Sequence, residues 1–474
     1  MIAHSLTNTL GFLSDAAPAS AHHVSAGVTA LFIALLIAMV AALAFEEKLH
    51  AKKSIITSAF AVLCLLLGAI FELLPFEDME IAGGIHLPIY IPAIEWEVIA
   101  IILGASLFVD VTSKSGIFSW IAIRLTKASG GDPVKLLWYY CLLTVPFSAV
   151  LNNVTAMIII GSLTSVSLAK LNRRNYLLGF LLAEGLLTNV GGLLTLISSV
   201  PNIIVGQAAE IGFMTFFTKA APYVVIATLL TVWLARRLFK IEPLADEAER
   251  RAAAELVAGF DENDGVPSRG YFVFSAVALG LLIAAFSTAS VIPYIKDLGL
   301  GFVAMFFAIG ALLKYKHDVD KFYAAVDWDL LAFFGSLFIV INVMEHAQVL
   351  ALIGKGLAAV TDLGPKLGPV ALLWCSAIMS SVTDNIPLSA MLAKIFSTAP
   401  EPPPNTSPLW WAIIFGCNLG GNITPIGSAS TVVAVTIIHR NKLPLSFVQF
   451  VKAAAPFAAA QLLLASAYVF FFLS

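Results

Sequence analysis

Apolar runs of about twenty residues recur along this chain, and they constrain its fold more than any other feature. They fall at about 27–45, 54–74, 96–112, 176–206, 217–236, 270–289, 298–314, 328–344, 408–438 and 455–473. A run of ~20 apolar residues spans the hydrocarbon core of a bilayer as one helix. Composition agrees, with 59% hydrophobic and 12% charged residues in 474, where a soluble domain is about a quarter charged. So little charge cannot cover the surface of a water-soluble enzyme, and so much apolar content excludes disorder. The expected class is an all-α polytopic membrane protein. No basic tract points to nucleic acid. The four cysteines lie in apolar stretches without metal or disulfide spacing and read as core residues.

Two further apolar segments, 134–169 and 369–398, carry polar residues at their middles. They read as re-entrant helical hairpins that enter the membrane and turn back. Basic residues then set the orientation. Lys48, Lys52 and Lys53 follow the first run, Lys170, Arg173 and Arg174 the first hairpin, and Arg236, Arg237 and Lys240 the fifth run. With the first hairpin opening to the cytoplasm, all but five of the 27 basic residues face inward, as the positive-inside rule requires. Ten crossings then leave both termini outside. Residues 1–26 hold no Lys or Arg and no apolar core of a signal peptide, which argues against cleavage. Residues 241–269 read as a charged cytoplasmic linker with a short amphipathic helix.

The halves of the chain repeat. Ile94-Glu95-Trp96-Glu97 matches Val326-Asp327-Trp328-Asp329, and Asn153 and Asn385 stand at the same offset of 232. Asn189-Val190-Gly191-Gly192 matches Asn418-Leu419-Gly420-Gly421 at an offset of 229, and Thr195 aligns with Thr424. The orientation sends the run after Trp96 inward and the run after Trp328 outward, so the repeats are inverted, an architecture of secondary transporters. The expected organisation is 1–92, a tail and two scaffold spans; 93–236, the first repeat; 237–324, the linker and two connecting spans; and 325–474, the second repeat.

Four polar segments interrupt apolar runs and are where chemistry is expected. The hairpin tips supply Asn152, Asn153 and Thr155 in one half, Asp384 and Asn385 in the other. The helix breaks supply Gly191, Gly192, Thr195, Ser198, Ser199, Pro201 and Asn202, and their counterparts Gly420, Gly421, Asn422, Thr424, Gly427 and Ser428. Irregular backbone at membrane depth survives only where protein or a wet cavity surrounds it. Freed helix N-termini can hold an anion and freed carbonyls a cation, so the residues alone leave the sign of the ion open. Asp384 is the sharpest position, because an ionisable group inside a membrane is costly unless it works. Its counterpart Asn152 is neutral. Glu184, half a span before Gly191, is a second candidate for carrying a proton, and Asp110 a weaker one. Lys394 reads as snorkelling to the outer interface, and Trp410-Trp411 as an interfacial anchor.

At these four segments the chain resembles the ion transporter superfamily. The nearest branch holds NhaD-type sodium/proton antiporters, arsenite permeases and the P protein, with citrate and dicarboxylate transporters further off. The pattern Gly-Gly-Asn-x-Thr-x-Ile-Gly is met from Gly420 to Gly427. Its counterpart is met from Gly191 to Asn202 except that Ser198 replaces a glycine, and the tip pattern Asp-Asn is met by Asp384-Asn385. The resemblance implies an elevator-type transporter with a homodimeric scaffold, in which the tips and breaks form the site. Asn152 departs from the Asp of many relatives, and the Ser-Asn-Thr tips of dicarboxylate transporters are absent. The leading expectation is sodium/proton antiport in a bacterial-type inner membrane. Asp384 would alternate between cation and proton, with Na+ or H+ as the coupling ion and no bound cofactor. The alternatives are an anion or oxyanion permease of arsenite or carboxylate type, and a transport-inactive structural relative. No constellation at depth suggests an enzyme.

Overall fold

The computed structural model describes residues 24–74, 80–81 and 85–473; the expectation for the N-terminal tail falls mostly on residues 1–23, outside the described residues. In chain order the helices are α1 (Ala26–Ala44), α2 (Glu46–Leu49) and α3 (Lys53–Ile70), followed by a minimal antiparallel strand pair, β1 (Glu80–Ile81) with β2 (Ile85–His86). The expected first repeat covers α4 (Trp96–Ser113), α5 (Ile117–Ala128), α6 (Pro133–Val150), α7 (Asn153–Lys170), α8 (Leu177–Gly191), α9 (Val200–Ala208) and α10 (Phe213–Leu238). Next come α11 (Glu247–Ala258), α12 (Arg269–Thr288), α13 (Pro293–Lys314) and α14 (Val319–Ala325). The second repeat holds α15 (Trp328–His346), α16 (Val349–Thr361), α17 (Leu367–Val382), α18 (Asn385–Ser397), α19 (Pro408–Gly420), α20 (Ala429–Arg440) and α21 (Phe447–Tyr468).

Seven helices of one half thus have seven counterparts in the other. Local chemistry repeats with them. The indole Nε1 of Trp96 donates to Ile91 O at 2.9 Å, and that of Trp328 donates to Tyr323 O at 3.0 Å. Both rings are more than half exposed, as interfacial tryptophans are. Gly116 and Gln348, at the starts of α5 and α16, both adopt left-handed φ of 80° and 64°. The pairing also reaches outside the repeats: α4 packs along α13, and α15 along α3. Glu97 Oε1 accepts from Leu300 N at 2.9 Å, and its counterpart Asp329 accepts from Ser54 Oγ. Gly104 allows the first of these contacts, because a Cβ there would lie 2.6 Å from the carbonyl carbon of Ala304.

Among the described residues ten helices are long and apolar enough to cross a membrane. They are not the ten runs read from hydropathy. The runs at 176–206 and 408–438 are each split into two shorter helices, while α6 and α7, of 18 residues each, join the set. At 1.5 Å per residue, 18 residues make ~27 Å, close to the ~30 Å apolar thickness. Length alone therefore does not separate crossing from turning back in the α6–α7 pair. Helices α17 and α18, of 16 and 13 residues, are shorter. The amphipathic helix expected in the linker is α11, capped by Asp246, whose side chain accepts from Glu249 N at 2.7 Å. It is tied to membrane-helix ends through the Arg173–Glu249 pair, and the linker after it through the Lys127–Glu262 pair.

Candidate functional site

The helix breaks are built by glycine and hydroxyl side chains acting together. At Gly191, the last residue of α8, α6 passes so close that a Cβ would lie 2.8 Å from Val145 O. A Cβ on Gly420 would likewise overlap Ala377 O of α17. Ser148 Oγ donates to Thr188 O at 2.6 Å, and Ser380 Oγ to Cys417 O at 2.6 Å. Thr195 Oγ1 donates to Ala149 O at 2.7 Å, and Thr424 Oγ1 to Ser381 O at 2.6 Å. Each bond in one half has its counterpart at the repeat offset. These hydroxyls satisfy carbonyls beside the interruptions, as buried backbone requires.

Two asparagines join the breaks across the halves. Asn189 Nδ2 donates to Asn422 Oδ1 at 2.8 Å and to Ser428 Oγ at 2.9 Å. In the mirrored direction, Asn418 Oδ1 accepts from Ser199 Oγ at 2.6 Å, and Asn418 Nδ2 donates to Asn202 Oδ1 at 2.9 Å. Asn202 Nδ2 closes the first break on Gly192 O at 2.6 Å and Thr195 O at 2.9 Å, and Ser198 Oγ also donates to Gly192 O at 2.6 Å. Thr431 Oγ1 does the same for the second break, donating to Gly421 O at 3.1 Å. Pro201, in the first turn of α9, is buried; Gly421 and Gly427 pass so closely that a Cβ on Gly427 would lie 3.0 Å from Gly421 Cα. Asn189, Asn202, Asn418 and Asn422 have no exposed surface. Buried amides of this kind are stabilising only when fully partnered.

The tips differ from the breaks in lying near the surface, and from each other in charge. Asn152 caps α7, its Oδ1 accepting from Thr155 N at 2.7 Å, and is exposed. Asn153 turns inward, accepting from Ser148 Oγ at 2.6 Å and donating to Asn189 Oδ1 at 3.4 Å, so the first tip is wired to the breaks. Asp384 caps α18, with Oδ1 accepting from Ile386 N at 3.1 Å. Its Oδ2 accepts from Lys53 Nζ of α3 at 2.6 Å. Asn385 is buried beside it. Among the described residues no hydrogen bond joins Asp384 to the asparagine network. The structure therefore gathers most of the predicted residues into one network and leaves Asp384 at its own position, facing a lysine.

Glu184 is fully buried in α8. Thr164 Oγ1 donates to its Oε1 at 2.6 Å, while Oε2 has no partner. Asp110, by contrast, is paired with Lys114 at 2.7 Å near the surface. Lys394 pairs with Glu345 at 3.0 Å and lines a cavity of about 190 Å³ with Gln207 and Asn342, which contains none of the predicted residues. Trp410 and Trp411 are 1% exposed, so they are core residues and not an interfacial anchor. Two participants were not expected from sequence. Lys53 read only as part of a basic cluster. Gln461 of α21, fully buried, accepts from Asn422 Nδ2 at 2.8 Å and donates to Thr231 Oγ1 at 2.9 Å, holding Asn422 in place.

A polytopic helical protein with paired breaks at its centre is a transporter fold, and the comparisons agree. The architecture is similar to that of the YdaH transporter of Alcanivorax borkumensis, with a TM-score of 0.56 at 15% identity over 88% of this chain and 97% of that one. It is also similar to MtrF of Neisseria gonorrhoeae, with a TM-score of 0.53 at 13% identity over 98% and 97% of the two chains. An uncharacterized transporter of Mycobacterium tuberculosis is 30% identical over 384 residues, 79% of this chain and 86% of that protein. The mouse P protein is 26% identical over 438 residues, 77% of this chain and 52% of its own length. The family described as citrate transporter (CitMHS) matches residues 28–416. The chain belongs to this family, within the ion transporter superfamily; it is an integral membrane transporter and not an enzyme.

Proposed function

We propose that this secondary transporter exchanges sodium for protons across a bacterial-type inner membrane. The observation that carries the reading is Asp384. It is the one carboxylate at either tip, partly buried, and held by a single exchangeable cation, the Lys53 ammonium. A carboxylate so placed can trade one positive partner for another, a proton or a sodium ion. The neutral side chains of Asn385, Asn153, Thr195, Asn422 and Thr424 line the site on this reading, and Glu184 is a second proton carrier. The α6–α7 and α17–α18 pairs act as re-entrant hairpins of an inverted-repeat, elevator-type carrier whose α3, α4, α13 and α15 form a dimeric scaffold. The repeated hydrogen bonds at constant offset support that assignment. Dequenching of a pH-sensitive dye in proteoliposomes on adding sodium tests it; no signal at any pH at which the protein stays folded contradicts it.

A second reading has its own support. Lys53 already neutralises Asp384, the family is described by citrate transport, and the N-termini of α9 and α20 open at the breaks. These features suit a small carboxylate or oxyanion held by backbone N–H groups. Uptake of a labelled anion that is unaffected by Asp384→Asn, in vesicles showing no sodium–proton exchange, would favour it.

A further inference from the structure

We infer that Lys53 is a tethered competitor for the cation site: it occupies Asp384 when no transported cation is there and must be displaced for one to bind. The inference rests on Asp384 being the cation site and adds the group that sets its selectivity and affinity.

Three observations carry it. First, the competition is for one atom. Asp384 Oδ1 is engaged with Ile386 N, so Oδ2 is the oxygen open to a cation, and Lys53 Nζ sits 2.6 Å from it. Second, Lys53 belongs to a different packing unit from the tip. It is the first residue of α3, which packs along α15 and is fixed there by the Ser54–Asp329 hydrogen bond. Its position is set through α3 and α15, and α15 meets α18 at the Lys394–Glu345 pair, so a swing of the lysine side chain alone breaks the Lys53–Asp384 pair and leaves that contact in place. Third, the lysine has somewhere to go. Glu46 Oε1 lies 3.9 Å from the same ammonium, and lysine's flexible stem allows a point charge to swing between two carboxylates. Displacement by sodium therefore transfers Lys53 from Asp384 to Glu46 and leaves no buried charge unpaired, which would otherwise be costly. The mirrored tip has no such arrangement, since Asn152 is neutral and exposed.

The test uses the full-length purified protein and sodium chloride, with choline chloride holding ionic strength constant, and reads the sodium concentration giving half-maximal thermal stabilisation. Lys53→Gln is expected to lower that concentration by about tenfold or more, because the competitor is gone, and Lys53→Arg to keep it near the wild-type value. Glu46→Gln is expected to raise it, because Lys53 loses its alternative partner and holds Asp384 longer. A structural role for Lys53 would shift the unfolding temperature of these variants without moving the sodium midpoint in opposite directions. Sodium midpoints in Lys53→Gln and Glu46→Gln that coincide with wild type overturn the competition while leaving Asp384 as a sodium site. No sodium response in wild type or in any variant overturns both the competition and the sodium reading on which it rests.

Discussion

The helix breaks and the helix-pair tips obey the same repeat but use it differently. At the breaks the two halves are closely alike: Ser148 and Ser380, and Thr195 and Thr424, make corresponding bonds of nearly equal length, and Asn189 and Asn418 pair with Ser428 and Ser199, the first donating and the second accepting. At the tips the halves share a capping geometry and differ in charge, Asn152 against Asp384. The symmetric positions hold the architecture, since a bond made twice cannot by itself give direction to transport. The asymmetric position carries the one charge, and with it the partner Lys53. On the proposed reading, symmetry marks what must be rigid, and its failure marks where the cation binds.

Substitutions can break or sharpen that contrast. The largest stability effect is expected at the paired asparagines. Asn189→Leu removes the partner of Asn422 Oδ1 and one partner of Ser428 Oγ, and Asn418→Leu removes the partners of Asn202 Oδ1 and Ser199 Oγ. At ~1–3 kcal/mol for each buried polar group left without a partner, each variant loses on the order of 3 kcal/mol. The fall in apparent Tm in detergent should match between the two; a large mismatch would mean that the breaks are not equivalent. Gly191→Ala and Gly420→Ala come next. Each forces a Cβ against a neighbouring carbonyl, an overpacking cost of about 1–3 kcal/mol, again readable as paired shifts in Tm.

Glu184→Gln should change stability by less than about 1 kcal/mol, because the amide keeps the shape of the carboxyl group and can still accept from Thr164. If Glu184 carries a proton, the same variant displaces the pH profile of exchange, and an unmoved profile assigns it to packing alone. The smallest effect lies in the linker. Hydrogen bonds from Lys127, with help from Arg124, hold the Glu262 carboxyl down at about 2. A depressed carboxylate favours the docked linker above its ordinary value of ~4.3, and that contribution fades as pH falls toward 2. Limited proteolysis of the linker should therefore be unchanged from pH 7 to 5 and quicken below pH 4, with Glu262→Gln already faster at neutral pH.

Much of this was legible in the sequence because it rests on local signals. Apolar run length gave the membrane class, the paired glycines at 191–192 and 420–421 with Thr195 and Thr424 located both breaks, and the charge run in the linker contained α11. Four features were not legible, each for a physical reason. Hydropathy measures transfer into apolar surroundings and cannot tell lipid from protein interior, so the buried Trp410 and Trp411 looked interfacial. It also passes over short helices such as α5 and α16, whose 12 and 13 residues are too few for a span. Lys53 lies 331 residues from Asp384, and nothing in a basic cluster announces which lysine will meet which carboxylate. The same holds for Gln461, a single polar residue in an apolar run whose partners Asn422 and Thr231 sit on other helices.

The central claim is that charge at one tip, and not at its mirror, drives the exchange. Sodium-dependent proton flux in proteoliposomes holding equal amounts of wild type, Asp384→Asn and Asn152→Asp tests it most directly. The account predicts flux in wild type, none above empty vesicles in Asp384→Asn, and retained flux in Asn152→Asp. Undiminished flux in Asp384→Asn would contradict it.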